Sequence, residues 1–360
     1  MTGTASLTSA PQLLVEKAIA RAGGWIPFDR FMALALYAPG LGYYAVDSRK
    51  FGTMPSSGSD FATAPEMTPL FGATVAVQVA DALRATGTGE IWEFGAGSGA
   101  LALQLLQALG ETVRSYTIVD LSGSLRERQQ QSLAKYGSRV RWANELPDRF
   151  SGVVVGNEVL DAMPVKLLVR KGGTWHERGV QKGLAWIDHP TDLRPPIEIP
   201  GEHDYLTEIH PQAEAFIRTL ADRLERGAAF FIDYGFSEDE YYHPQRHMGT
   251  LMCHRAHMAD TDPLTDIGCK DITAHVNFTG LALAAQQAGL ATLGYTSQAR
   301  FLMNCGLVEQ LAQAPLQQRI AGQRLLAEHE MGELFKVIGF YKGDFWDACG
   351  FTNGDRTDRL

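Results

Sequence analysis

Glycines at alternate positions, Gly95, Gly97 and Gly99, separate a short apolar run, Ile91–Phe94, from an apolar periodicity at Leu101, Leu105 and Leu106. This pattern predicts a strand, a tight turn and a helix. Glycine adopts positive φ at little steric cost and has no Cβ, so such a turn lets a ligand lie against backbone while the helix N-terminus offers it unpaired N–H groups. The expected guest is nucleotide-like. The segment GAGSGA, which includes Ala96, also satisfies the loose dinucleotide pattern, so the turn by itself leaves a nicotinamide dinucleotide and an adenosyl cofactor both open. Glu93 lies inside the strand end, and Asp120 closes the next apolar run, Tyr116–Val119, where an acid can take ribose hydroxyls. A solvated strand end is the alternative for such an acid.

A second stretch with chemical potential is GNEVLDAMPV, Gly156–Val165. Asn157, Glu158 and Asp161 follow a further apolar run, and Met163-Pro164 forbids a long helix after them. The polar groups then emerge at the same edge as the glycine turn, although Asn157 could instead cap a short helix. The third stretch is Leu41–Glu66, which has little periodicity, many Gly and Ser residues, the adjacent tyrosines Tyr43 and Tyr44, and the acids Asp60 and Glu66. A long loop of this composition is expected to be functional.

The positioning elements follow from periodicity. Helices are expected from Pro11 to the Gly23-Gly24 pair that ends the first of them and over Pro27–Tyr37, with a third over Thr68–Thr86. Strand Ile91–Phe94, helix Ala100–Leu109, strand Tyr116–Asp120, helix Leu125–Tyr136, strand Arg139–Ala143 and strand Gly152–Gly156 make a parallel α/β half-sheet. Lys166–Arg170 and Thr174–Gln181, split by Gly172-Gly173, read as a hairpin with a third strand near Leu184–Ile187, an antiparallel insertion between the fourth and fifth core strands. Ile209–Leu224 reads as a helix, Ala228–Asp233 as the fifth strand, Asp271–Gly289 as a helix capped by Asp271, Leu290–Thr296 as a strand, Glu309–Leu326 as a helix and Phe335–Phe340 as a last strand. The chain thus divides into N-terminal helices with a lid loop (1–88), a cofactor-binding half-sheet (89–164), a hairpin insertion (165–205) and the rest of the sheet with a second lid region at 237–275 (206–360).

Composition narrows the partners. The 360 residues carry 32 basic and 41 acidic side chains, a formal charge of −9, with no basic run able to track phosphates, so no nucleic acid is expected. Cys253, Cys269, Cys305 and Cys349 show no CxxC spacing, which points to reduced thiols. His243, His247, His254 and His257 crowd one segment without a matching second pair, so no metal is expected. Neither a signal core nor a bilayer-length apolar run appears, and the expectation is a cytoplasmic bacterial protein.

Seven segments in order carry a resemblance: PFDRFMALALYAPGLGYY (Pro27–Tyr44), SDFATAPE (Ser59–Glu66), EFGAGSGALA (Glu93–Ala102), NEVLDAMPV (Asn157–Val165), IDYG (Ile232–Gly235), KDITAHVNF (Lys270–Phe278) and MGELFKVIGF (Met331–Phe340). With them the chain resembles the MidA-like family of S-adenosylmethionine-dependent methyltransferases, whose mitochondrial members assist complex I assembly by methylating arginine. The resemblance implies a Rossmann-like class I methyltransferase sheet and a cofactor, S-adenosylmethionine, that leaves as S-adenosylhomocysteine. By position it implies that Glu93, Gly95, Ala96, Gly97 and Gly99 hold the methionine part, that Asp120 with Leu121 takes the ribose, and that Trp142, Ala143 and Asn144 lie near the adenine. Asn157, which also borders the cofactor, would line the methyl-transfer pocket with Glu158 and Asp161, and the segment holding Asp60, Thr63 and Glu66 would close over it together with Asp271 to His275. Thr63 would touch the cofactor, and Glu66 and Asp60 would join Glu158 and Asp161 as the carboxylates that hold a guanidinium and take up its proton. Asp120 stands where the family usually has glutamate. The implied partner is a protein substrate, and a homodimer is compatible with it. A small-molecule methyltransferase would keep every cofactor residue, a non-catalytic assembly factor would keep the fold, and a dehydrogenase would need a catalytic dyad that the sequence does not offer.

Gly97→Val should abolish binding of S-adenosylhomocysteine while leaving the protein folded, because a branched side chain would stand where the ligand meets backbone. Calorimetry with the folded variant checks this; an unchanged affinity would reduce the loop to a plain turn.

Overall fold

The computed structural model describes residues 9–45, 63–120, 123–255 and 258–360. Asp60, Leu121, His257 and most of the expected lid loop lie outside them. The described residues form two units interleaved in sequence, one drawn from the segments 1–48, 162–212 and 242–274, the other from 49–161, 213–241 and 275–360.

The second unit is built on a seven-strand path: β1 (Glu90–Phe94), β2 (Ser115–Val119), β3 (Val140–Ala143), β4 (Phe150–Asn157), β5 (Leu224–Phe236), β6 (Ala291–Ser297) and β7 (Phe335–Lys342). The spatial order is β3-β2-β1-β4-β5-β7-β6. Strands β1 to β5 pair in parallel, and β7 runs antiparallel between β5 and β6. The short strand Val276–Asn277 extends the far end of β5 in parallel. Strand order reverses between β1 and β4, and in open α/β sheets the crevice beyond the carboxyl ends at that reversal is where ligands bind.

Near-continuous apolar runs suit these strands because helices cover them. Helix Pro69–Thr86 starts with Thr68, whose hydroxyl accepts from Leu70 N, and stops at Gly87 in the left-handed conformation. Its buried face, including Phe71, Val75, Val79 and Leu83, joins Leu101, Leu105 and Leu106 of helix Ala100–Leu109 and Ile91, Val153 and Phe230 of the sheet in one core. Gln104 fixes the helix pair: its amide donates to Pro65 O (2.8 Å) and accepts from Gly72 N (2.9 Å). A Cβ on Gly72 would fall 2.4 Å from that side chain, so a glycine is required there.

The first unit holds helices Ala10–Arg21 and Phe28–Tyr37 with an antiparallel sheet. Lys166–Lys171 pairs with Thr174–Gln181 and with Tyr205–Ile209, while Thr174–Gln181 also pairs with Ala185–Pro190 and Trp25–Pro27. Trp186 packs on Phe28 at 5.5 Å between ring centroids. A small second sheet comprises Met252–Arg255, Met258–Asp260 and Asp271–Thr273. Among the described residues no helix is long and apolar enough to cross a membrane, and no cluster of three or more His, Cys, Asp or Glu could hold a metal.

Several boundaries differ from the sequence expectation. Asp271 does not cap a helix: Asp271–Thr273 and Val276–Asn277 are strands, and the helix runs Phe278–Gln287, capped by Asn277 Oδ1 on Gly280 N at 3.2 Å. β-Branched Ile272, Thr273 and Val276 favour the extended pairing that two neighbouring strands offer. The expected helix Glu309–Leu326 is two, Leu307–Gln313 and Leu316–Leu326, because Pro315 excludes the helical conformation at Ala314. Ile209 ends a strand, and the following helix begins at Pro211, a residue suited to a first turn. Strands Trp25–Pro27 and Tyr205–Ile209 are too short to read without their partners.

At the amino ends of β4 and β5, Gly152 and Gly227 lie side by side, and a Cβ on Gly227 would stand 1.9 Å from Gly152 O. Gly227→Ala should therefore cost roughly 1–3 kcal/mol through forced separation of the strands. Urea unfolding measures it, and an unchanged midpoint would contradict the close approach.

Candidate active site

The turn after β1 has the conformation that its glycines permit. Gly95, Gly97 and Gly99 all have positive φ, at 62°, 53° and 85°, and Gly99 leads directly into helix Ala100–Leu109. A Cβ on Gly95 would approach Val159 Cγ2 to 2.9 Å, so the turn lies against the segment that follows β4. Buried polar side chains support it from below. Gln129, on helix Gly123–Leu133, donates through Nε2 to Gly97 O (2.9 Å) and to Asp120 Oδ2 (3.0 Å), and its Oε1 accepts from Trp142 Nε1 (2.9 Å). One fully buried amide thereby joins the glycine turn, the acid after β2 and the indole of β3. Asp120 N donates to Ala143 O, whereas exposed Asn144 is held at the rim by Arg126 Nη2 at 2.7 Å.

Beneath the turn Glu93 is buried and accepts from Tyr116 Oη at 2.8 Å. Burial pushes its pKa up to about 8, with the Asp120 charge adding to the rise and the Tyr116 hydrogen bond opposing it. Glu66 and Thr63 belong to the same side of this unit: Thr63 leads into the short helix Ala64–Met67, and Glu66 Oε1 accepts from Ser98 Oγ of the glycine turn. Among the described residues Glu66 therefore joins the glycine turn rather than the acids that follow β4.

Those acids form their own group. Asn157 ends β4 opposite Ile232 of β5, and Glu158 N donates to Ile232 O at 2.9 Å. Glu158 has φ 53°, a left-handed conformation rare for a residue with a side chain, and such outliers persist where surrounding structure enforces them. The enforcing group is Asp233, whose Oδ2 accepts from the backbone N–H groups of Val159 (3.1 Å), Leu160 (2.9 Å) and Asp161 (3.3 Å). Asp161 accepts in turn from Tyr234 Oη. Burial raises the Asp233 pKa well above the carboxylate range; the charges of Asp161 and Glu158 raise it further, and the Leu160 and Tyr234 N–H groups offset part of this. Asn157 Nδ2 donates to Glu158 Oε1 at 3.0 Å, while its buried Oδ1 meets no donor among the described residues.

The sequence singled out Glu93, Asp120, Trp142, Asn157, Glu158 and Asp161 but not Gln129, Tyr116, Ser98, Asp233 or Tyr234. The IDYG segment was a readable signal for Asp233 and Tyr234, an acid closing a buried strand beside β4. Gln129 had none, standing in a run of three glutamines of which the helix turns one inward.

A family model of S-adenosyl-L-methionine-dependent methyltransferases matches residues 74–296, more than half of the chain. The chain belongs to this methyltransferase family. Over 99% of its length the methyltransferase is similar, at 47% identity and a TM-score of 0.91, to the whole of a Burkholderia thailandensis protein whose crystal structure holds S-adenosylhomocysteine. It is 27% identical to a Caenorhabditis elegans protein named protein arginine methyltransferase NDUFAF7 homolog, across 83% of this chain and 77% of that one. The human protein arginine methyltransferase NDUFAF7 is 27% identical across 79% of this chain and 70% of its own. The cofactor of the methyltransferase is S-adenosylmethionine. The site suits it: positive-φ glycines open backbone to a ligand, and a buried amide oxygen at the same strand edge, Asn157 Oδ1, meets no donor among the described residues.

Glu93 yields a pH prediction. Its folded pKa, about 8, exceeds the ordinary value near 4.5, so the folded protein retains a proton that the unfolded chain releases, and this group makes stability fall as pH rises from about 4.5 to about 8. Glu93→Gln should flatten that part of the profile, measured by thermal unfolding across the range. An identical slope in both proteins would refute the buried protonated carboxyl.

Proposed function

We propose that this methyltransferase methylates an arginine nitrogen of a partner protein, with Glu158 as the group that orients the guanidinium and receives its proton. The observation carrying the proposal is the group of carboxyls, Glu158, Asp161 and Asp233, gathered where β4 and β5 end and next to the glycine turn. Like charges at close quarters raise one another's proton affinity, and a cation entering among them relieves the repulsion. Guanidinium is such a cation, and its planar donors match a carboxylate in pairs. The names of the relatives support the same acceptor.

The bound cofactor supplies an electrophilic methyl carbon on a sulfonium sulfur. The chain's own contribution is alignment and charge control. The glycine turn, with Gly95, Ala96, Gly97 and Gly99, is assigned to the amino-acid end of the ligand and Glu93 to its support; Asp120, held by Gln129, is assigned to the ribose, and Trp142, Ala143 and Asn144 to the adenine edge. Glu158 is fixed by the Asn157 amide and by its backbone bond to Ile232, so its carboxylate needs little reordering to meet a substrate. Tyr234 holds Asp161 in the same way. As the acceptor nitrogen bonds to the methyl carbon and the sulfur–carbon bond breaks, the nitrogen becomes acidic and Glu158 takes the proton. Thr63 and Glu66 are assigned to the cover on the cofactor side.

Glu158→Gln should keep S-adenosylhomocysteine affinity while lowering turnover by roughly 10²–10⁴-fold, the range for loss of a positioned proton acceptor. Labelled cofactor with an extract lacking this protein, followed by mass spectrometry of labelled species, identifies the acceptor. Label on a small metabolite would overturn the arginine assignment, and full activity of Glu158→Gln would overturn the role of Glu158.

A further inference from the structure

The opposite edge of the same sheet carries a cavity of about 320 Å³ that the methyl-transfer chemistry does not use. It is lined by the beginnings of β1 and β4, with Glu90, Trp92 and Phe150, and by three arginines, Arg114, Arg149 and Arg226. Glu90 is the one carboxylate among its lining residues, so guanidinium charge dominates a pocket in a chain whose net charge is −9. Neither Arg114 nor Arg226 has an ion pair among the described residues, and Arg149 pairs only with Glu225 in an exposed bridge at 2.9 Å. The Arg114 guanidinium is nonetheless positioned: it lies over Gly89, where an added Cβ would come within 2.7 Å of its Cζ. On the apolar wall Trp92 and Phe150 pack at 4.9 Å between centroids, and the indole Nε1–H of nine-tenths-buried Trp92 meets no acceptor among the described residues.

We propose that this cavity binds a small phosphate-bearing molecule, with Arg114 and Arg226 on the phosphate, Arg149 at its rim, and the Trp92–Phe150 wall against an apolar or planar portion. Guanidinium forks bind phosphate through paired, charge-assisted hydrogen bonds, and two such groups without counter-ions among the described residues form a donor-rich site. The volume lies at the small end of ligand pockets, which fits a compact phosphorylated metabolite better than a polymer. The proposal does not depend on the identity of the methyl acceptor.

Calorimetry on the full chain, with S-adenosylhomocysteine saturating the cofactor site, tests it using inorganic phosphate and adenosine monophosphate against sodium chloride at matched ionic strength. Expected is saturable one-site binding of both phosphates. Arg114→Gln and Arg226→Gln should each weaken it by about tenfold, the loss expected for a charge-assisted bond, with S-adenosylhomocysteine affinity unchanged. Glu90→Gln should strengthen binding by removing the opposing charge. Heat no different from sodium chloride, adenosine monophosphate binding only when S-adenosylhomocysteine is absent, or arginine variants that bind phosphate like the parent would overturn the proposal.

Discussion

Three consecutive backbone N–H groups converge on one oxygen of Asp233, and the arrangement of the active edge depends on that convergence. A buried carboxyl is costly, and the Leu160 and Tyr234 N–H groups only partly counter its raised proton affinity. In return the chain after β4 turns sharply enough to leave Glu158 in a left-handed conformation, which a free segment would rarely adopt. Parallel pairing of β4 with β5, in register from Val153 opposite Ala228 to Asn157 opposite Ile232, puts Asp233 one residue beyond the pair and within reach of the turn. The clamp and the strained residue are consequences of that register.

The glycine turn depends on a comparable arrangement with neutral groups. Gln129 satisfies a carbonyl of the turn, a carboxylate after β2 and an indole of β3, while Gln104 ties helix Ala100–Leu109 to the backbone of Pro65 and Gly72. Buried amides fully engaged in this way rigidify their surroundings, and partial engagement would be costly. The turn can therefore expose backbone to a ligand without losing its shape.

Charge is distributed along the strands rather than spread evenly. Asp120, Glu158 and Asp161 follow the carboxyl ends of β2 and β4, and arginines gather near the amino ends of β1, β4 and β5. Fields of opposite sign at the two edges of one sheet attract different ligands. Rigid strands connect the two edges, although the chemistry at each is set by side chains within a few residues of a strand terminus.

Much of the second unit was legible in the sequence, since burial on both faces writes a strand as an apolar run and a helix as a 3.6-residue stripe, signals that need no partner to be read. The glycine turn was legible because positive φ restricts residue type, and Gly95, Gly97 and Gly99 all have it. Strands Trp25–Pro27 and Tyr205–Ile209 were not legible, because a segment of three to five residues takes its identity from the strand beside it. Asp271 read locally as a helix cap, yet pairing claimed it for a strand. The sequence by itself determined the order of core elements and the residue types at their ends. Only the tertiary structure decided which of three adjacent glutamines faces inward, that Glu66 meets Ser98, and that Asp233 holds the turn bearing Glu158, because each depends on the rotation of a helix or the register of a strand, and those are set by contacts between residues far apart in the chain.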